Sequence, residues 1–255
     1  MASRPKAAGV GHNLMQQHRI DLAAAIRLAV RFGLNEGICN HFSIMIPGHD
    51  QGDRRFLVNP YGLHWREIRA SDLVLVNERG EKLEGHGDVE ASAFWIHSRI
   101  HIAHPAGACV LHSHMPYATA LTWLEDMTLE MAGQNAIFFH DRIAYDPAYG
   151  GLVKGAEEGD RIARAMGEKR VLFMANHGVT VVGPSVAEAF NDLYYLERAC
   201  QGQILAMSTG RRLRVVSPEV VAGTRRQMAA DVYQVGLHFA ALKRRLDVEE
   251  PDYRN

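Results

Sequence analysis

Residues 109–121 read CVLHSHMPYATAL. Cys109, Val110 and Leu111 begin a run built for burial, and Pro116 opens a segment with helical spacing. The stretch therefore predicts an apolar strand leading into a short helix. Two histidines, His112 and His114, stand inside it. On a strand, side chains at i and i+2 share one face and lie about 6.6 Å apart along the chain. Parity thus puts His112 and His114 on one side and Ser113 on the other. They are either core imidazoles satisfied by hydrogen bonds or two ligands of a metal at the strand's C-terminal end. A His-x-His pair alone does not decide between the two.

The flanking sequence sets this strand in an alternation of elements. Met15 to Phe32 places Ile20, Ala23, Ala24, Ile26, Leu28, Val30 and Phe32 largely on one helical face, with Gly33 as a stop. HFSIMIP (41–47), RFLVNP (55–60) and DLVLVNE (72–78) read as short strands. Glu90 to His104 is helical, and Pro105 ends it. LEMAGQNAIFF (129–139) is a short helical candidate and DRIAYDPAYGG (141–151) a loop or edge strand. KGAEEGDRIARAMG (154–167) is an amphipathic helix closed by Gly167. RVLFMANHGVTVVG (170–183) reads as two strands meeting at Asn176-His177-Gly178, so a third imidazole arrives from another part of the sheet. Ser185 with Glu188 forms a capping box for a helix over 186–207, and a last helix is expected over 218–246. The alternation predicts one α/β domain with a layered helix–sheet–helix arrangement. Its expected limits are residues 15–210, after a flexible tail at 1–14. A helical extension over 211–255 packs on the same domain or on a neighbour.

Composition narrows the function. The chain has 255 residues, 47% apolar and 22% charged, with a net charge of −1. No whole-protein field favours nucleic acid or an anionic membrane, and neither is an expected partner. Three widely spaced cysteines, Cys39, Cys109 and Cys200, suit a reducing cytoplasm better than a disulfide framework. The N-terminal MASRPKAAGVGHN lacks the apolar core of a signal peptide.

Four stretches carry a family resemblance: LNEGICNHFSI (34–44), VNPYGLHWREIRASDLVLV (58–76), CVLHSHM (109–115) and MANHGVTVVG (174–183). In order and spacing the chain resembles the class II aldolase/adducin-head family from roughly Leu22 to Met207. The resemblance implies an α/β/α sandwich around a mixed, mainly antiparallel sheet. It implies one divalent metal per chain held by His112, His114 and His177, with Zn first and Mn, Co or Fe in its place. It also implies a homotetramer with sites at subunit interfaces. Three neutral ligands leave the metal its charge and an open position, where a carbonyl or hydroxyl oxygen is polarised. An enolate formed as a carbon–carbon bond breaks is stabilised there.

The chain also departs from the sugar-phosphate aldolases. Their acid/base glutamate corresponds to Ala93, and the nearest carboxylate is Glu90. Glu90 is either a helix-dipole carboxylate or a displaced acid/base. The family's small phosphate-binding groups match Asn40-His41, Tyr61-Gly62 and Ala91-Ser92, where His41 and Tyr61 add bulk. A non-phosphorylated, aromatic or carboxylated small molecule is therefore the expected substrate. Its candidate contacts are Asn40, His41, Tyr61, His64, Ser92 and Gln134, with Trp65 brought near. The family's tyrosine donor, lent by a neighbouring subunit, matches Asp146 without a gap and Tyr145 with a one-residue slip. His97 reads as packing or as a partner behind the metal, His101 and His104 as surface. The expected function is a metal-dependent lyase, a decarboxylase ahead of a retro-aldolase. A non-catalytic adducin-like scaffold is the alternative, and a non-haem iron oxygenase a remoter one.

Overall fold

The computed structural model describes residues 7–47, 52–229 and 233–255. Eight strands form one sheet: β1 (His41–Ile46), β2 (Arg55–Val58), β3 (Val74–Asn77), β4 (Lys82–Glu84), β5 (Cys109–Ser113), β6 (Ile143–Asp146), β7 (Val171–Met174) and β8 (Gly178–Gly183). Their order is β4-β3-β2-β1-β5-β8-β7-β6. Among the described residues only β6 and β7 pair in parallel, so the sheet is mixed and mainly antiparallel, as the resemblance implied.

Pleating divides the core. Phe42, Ile44, Leu111, Phe173, Val179 and Val181 share one cluster with Leu22 and Ile26 of α1 (Ala7–Arg31) and Phe190 and Leu193 of α6 (Val186–Met207). Val110, Leu172, Met174 and Val182 pack instead with Ile96 and Ile100 of α2 (Ala91–Ala103) and Ile162 and Met166 of α5 (Ala156–Met166). The sheet thus lies between two helical layers, each taking alternate residues of the same strands. Register pairs His41 with His112 and His112 with Thr180. Directly paired residues share a face, so His112 follows Val110 towards the α2 layer.

Several local expectations need correction. The first helix begins at Ala7, so residues 7–14 of the expected tail are helical, and residues 1–6 lie outside the described residues. The helical candidate at 129–139 shrinks to α4 (Gln134–Ile137), after α3 (Pro116–Thr122). The expected last helix is described as α7 (Pro218–Ala229) and α8 (Tyr233–Glu249), the residues between them lying outside the described ones. This C-terminal segment packs on its own chain. Phe239, Leu246 and Tyr253 join the larger core, and Arg27 of α1 pairs with Asp252 at 2.8 Å and Glu250 at 3.3 Å. Trp65, expected near the pocket, is fully buried against Phe42, ring centres 4.7 Å apart.

Candidate metal centre

Three elements bring three imidazoles together. His112 is the penultimate residue of β5 and is fully buried. β5 ends at Ser113, so His114 lies one residue beyond the strand, and pleat parity alone does not place it. The Ser113 hydroxyl donates to Leu34 O on the opposite face. His177 sits in the β7–β8 turn, where Asn176 adopts a left-handed φ of 55°. Asn176 N–H donates to Thr122 O at 2.9 Å and His177 N–H to Met174 O at 3.1 Å, which fixes the turn. One ligand atom from each histidine lies within 4.8 Å of the others. Ligand atoms of a tetrahedral zinc lie about 3.3 Å from one another, so a small contraction suffices.

The far side of two rings is held. His112 Nδ1–H donates to Val179 O at 3.0 Å, and His114 Nδ1–H to Glu36 Oε2 at 2.7 Å. Their Nε2 atoms are then free to face one another, 3.1 Å apart. A carboxylate or carbonyl on the second nitrogen is the usual way an imidazole is aimed at a metal and made more basic. Burial is the main force pushing the His112 pKa well below its ordinary value, with repulsion from His177 and His114 adding to it. Burial and repulsion from His114 and His41 take His177 down to about 4. Both stay neutral near pH 7, the form that binds a metal. The donor set therefore fits a divalent ion.

Behind the triad runs a second line of polar groups. The His41 ring stacks on His112 at 5.5 Å, and its Nε2 lies 3.3 Å from Glu90 Oε2. Glu90 also caps α2: its carboxylate accepts from Ala93 N–H at 2.9 Å and from the Ser92 hydroxyl. The His41 hydrogen bond first, then those from Ser92 and Ala93, hold the Glu90 carboxyl down at about 2. Burial lowers His41, so His41 is neutral and its Nε2–H faces the carboxylate. Its Nδ1 is left buried without a partner.

The Ser43 hydroxyl bridges His97 Nδ1 and His101 Nε2, both at 2.6 Å. His101 Nδ1–H must donate to Gly107 O, so its Nε2 accepts from Ser43. Ser43 oxygen then accepts from His97 Nδ1–H, leaving His97 Nε2 a buried acceptor without a partner. His101 and His104, expected at the surface, are both buried, and His104 bonds Lys169 O and Ala106 N–H.

This line makes the fold acid-sensitive. Burial lowers His101 to about 4. The unfolded value is about 6.5, so between those limits the unfolded chain binds the extra proton. Stability is complete above pH 6.5 and is lost as pH falls towards 4, by about 3 kcal/mol from this group alone. Thermal melts of chelator-treated protein across that window should show the melting temperature dropping. His101→Gln should flatten the slope, and an equal slope in wild type and variant would count against the assignment.

The remaining candidates separate. Asn40 is fully buried, and its Oδ1 accepts from Glu36 N–H at 2.6 Å, tying it to the loop that carries Glu36. His41, Glu90 and Ser92 stand together beside His112. Tyr61 is exposed, and His64 Nδ1 accepts from Arg66 N–H within its own turn. Neither reaches the triad through a hydrogen bond or ring contact among the described residues. Gln134 starts α4 in a separate cleft beside α6. The Tyr145 hydroxyl accepts from Leu129 N–H at 3.0 Å, and its ring packs with Phe173 on the α1–α6 side of the sheet. Asp146 is buried and paired with Arg161 at 2.8 Å. Two residues near the triad escaped sequence reasoning. Glu36 is one; the other is Tyr149, exposed, its ring 6.5 Å from that of His177.

Residues 20–204 match the Class II Aldolase and Adducin N-terminal domain. An aldolase II superfamily protein from Pseudomonas syringae is 36% identical, superposes with a TM-score of 0.86, and covers 94% of this chain and 96% of its own. L-fuculose 1-phosphate aldolase from Glaciozyma antarctica is 26% identical with a TM-score of 0.83, over 99% and 97% of the two chains. Alpha-adducin of Rattus norvegicus is 32% identical over 199 residues, which are 75% of this chain and 26% of the adducin. With the match spanning most of its length, the chain belongs to the class II aldolase and adducin N-terminal domain family.

Proposed function

We propose that the chain is a divalent-metal-dependent carbon–carbon lyase acting on a non-phosphorylated, carboxylated small molecule, aromatic ones among the candidates. Decarboxylation is the favoured reaction, with retro-aldol cleavage next. The observation that carries the reading is the convergence of His112, His114 and His177, whose ligand atoms lie within 4.8 Å of one another. These three residues would hold the ion, Zn first among the candidates. When bound, it supplies positive charge at the oxygen on which electrons collect as a carbon–carbon bond breaks. His41 packs on His112 and adds bulk at a position where the sugar-phosphate aldolases carry a small group. Asn40, with a buried Nδ2 lacking a partner, and Ser92 are the polar groups assigned to orient substrate. Glu90 and His41 are assigned to proton handling in place of the family carboxylate absent at Ala93. Decarboxylation suits that replacement, since loss of CO₂ requires no base on an alcohol. Tyr145, engaged with Leu129, has no part at the centre of its own chain.

The exposed apolar residues Trp123, Leu124, Tyr149 and Leu152 support assembly into a homotetramer. The metal-loaded protein should release CO₂ from hydroxylated aromatic carboxylates. Turnover confined to phosphorylated ketoses would overturn the substrate class.

Glu36→Gln tests the centre separately from turnover. Metal affinity should fall about 10–100-fold with the fold intact. Competition with a chromogenic chelator reads this directly, and unchanged affinity would remove Glu36 from the site.

A second reading has its own support. Ala93 is 1% exposed and cannot take part in proton transfer, and similarity to alpha-adducin extends over 75% of the chain. A non-catalytic, adducin-like metal-binding scaffold would carry the metal and turn over none of these substrates.

A further inference from the structure

The segment after α6 forms a second cleft, built from different residues. Residues 209–216 leave the end of α6 and cross to the stretch before α4, where Val216 N–H donates to Met131 O at 3.0 Å. This strap roofs a cleft of about 540 Å³, the size that holds a metabolite. Its floor is the small-residue face of α6, Ala199, Gly202 and Ala206. Four arginines line it, Arg198, Arg211, Arg212 and Arg214, against one carboxylate, Glu130.

Three of the arginines are not neutralised from within. Arg211, Arg212 and Arg214 make no side-chain hydrogen bond or ion pair among the described residues. Arg198 is held over the Tyr194 ring at 5.2 Å and donates from Nη1 to Gln201 at 2.9 Å. Its Nε is buried without a partner. A buried unpaired donor costs free energy unless something accepts from it. Four guanidinium groups around one concavity repel one another unless an anion lies between them, and each offers a planar fork suited to an oxyanion.

We propose that this cleft is a binding site, separate from the histidine centre, for a small molecule carrying two acidic oxyanion groups, phosphoryl or carboxylate. Arg211 and Arg214 on the strap and Arg198 on the helix clamp the acid groups. Gln134 and Asn135 at the mouth of α4 contact the body of the ligand. Gln134 thus finds its role here.

The test is calorimetric titration of the metal-loaded protein with inorganic pyrophosphate and, separately, succinate, each against sodium chloride at equal ionic strength. At least one should bind saturably, and which one tells the phosphoryl from the carboxylate source. Arg211→Ala/Arg214→Ala should weaken that binding at least tenfold. Both side chains are exposed, and a thermal melt confirms that the variant folds. His114→Ala should leave the binding unchanged. The proposal is overturned if neither anion binds beyond the chloride control, if the double arginine variant binds as wild type does, or if His114→Ala abolishes binding.

Discussion

Purified protein should carry about one transition metal per chain, and His112→Ala/His114→Ala should carry none. The expectation follows from how the two rings are held. His112 is locked by Val179 O and His114 by Glu36, so each presents Nε2 without rearrangement. Removing one outer hydrogen-bond partner of a metal ligand costs 10–100-fold in affinity, and removing two ligands outright must cost more. His177 alone then faces the pocket. The fold should survive, because β5 keeps its ladder to β1 and β8. Elemental analysis of both proteins after dialysis, with a thermal melt of each, reads the result. Any lyase turnover should fall to background together with the metal. Wild type that is folded and metal-free after growth with Zn, Mn, Co and Fe would sink the lyase reading. Metal retained by the double variant would place the site elsewhere.

What was legible in the sequence was local. HFSIMIP, RFLVNP and DLVLVNE became β1, β2 and β3 because strand periodicity and turn residues are short-range signals. The Ser185 cap was legible for the same reason: its hydroxyl accepts from Glu188 N–H at 3.2 Å. His112 and His177 were placed correctly because each sits on or between strands whose apolar runs are plain. What failed was what depends on distant packing. His101 looked like a surface residue because α2 is apolar around much of its circumference, and no stripe says which side faces the sheet. Its burial follows from a contact with Ser43, 58 residues away in sequence. Glu36 reaches His114 across 78 residues from a loop, and no spacing rule connects them. The resemblance implies a tyrosine donor from a neighbouring subunit, and the packing of Tyr145 beside Phe173, on the other side of the sheet, bears only on the centre of its own chain. Glu90 was read as either a helix-end carboxylate or an acid/base. The structure gives it the capping bond to Ala93 and a contact with His41 at once, so the first role does not exclude the second.

Gly178→Ala should damage both stability and metal binding, although it adds a single methyl group. Gly178 follows His177 and begins β8. A Cβ there would stand 2.7 Å from His114 Cδ2 and 2.8 Å from Ser113 O. The second neighbour is backbone of β5, whose residue Ser113 is in register with Val179, so it cannot recede without opening the β5–β8 ladder. The first is the ring of His114, which must turn away instead. Overpacking of this kind costs about 1–3 kcal/mol. Turning the ring strains the Nδ1 bond to Glu36 and misdirects Nε2, so metal affinity should fall along with the melting temperature. Gly223→Ala is the control, since nothing lies within 4 Å of a Cβ at that position in α7. Helix propensity there should stabilise the chain by about 0.5–1 kcal/mol and leave metal affinity unchanged. The two losses at Gly178 have one geometric cause, so they must appear together. A Gly178→Ala protein that is less stable yet binds metal as tightly as wild type would mean that His114, as the structure places it, is not a ligand.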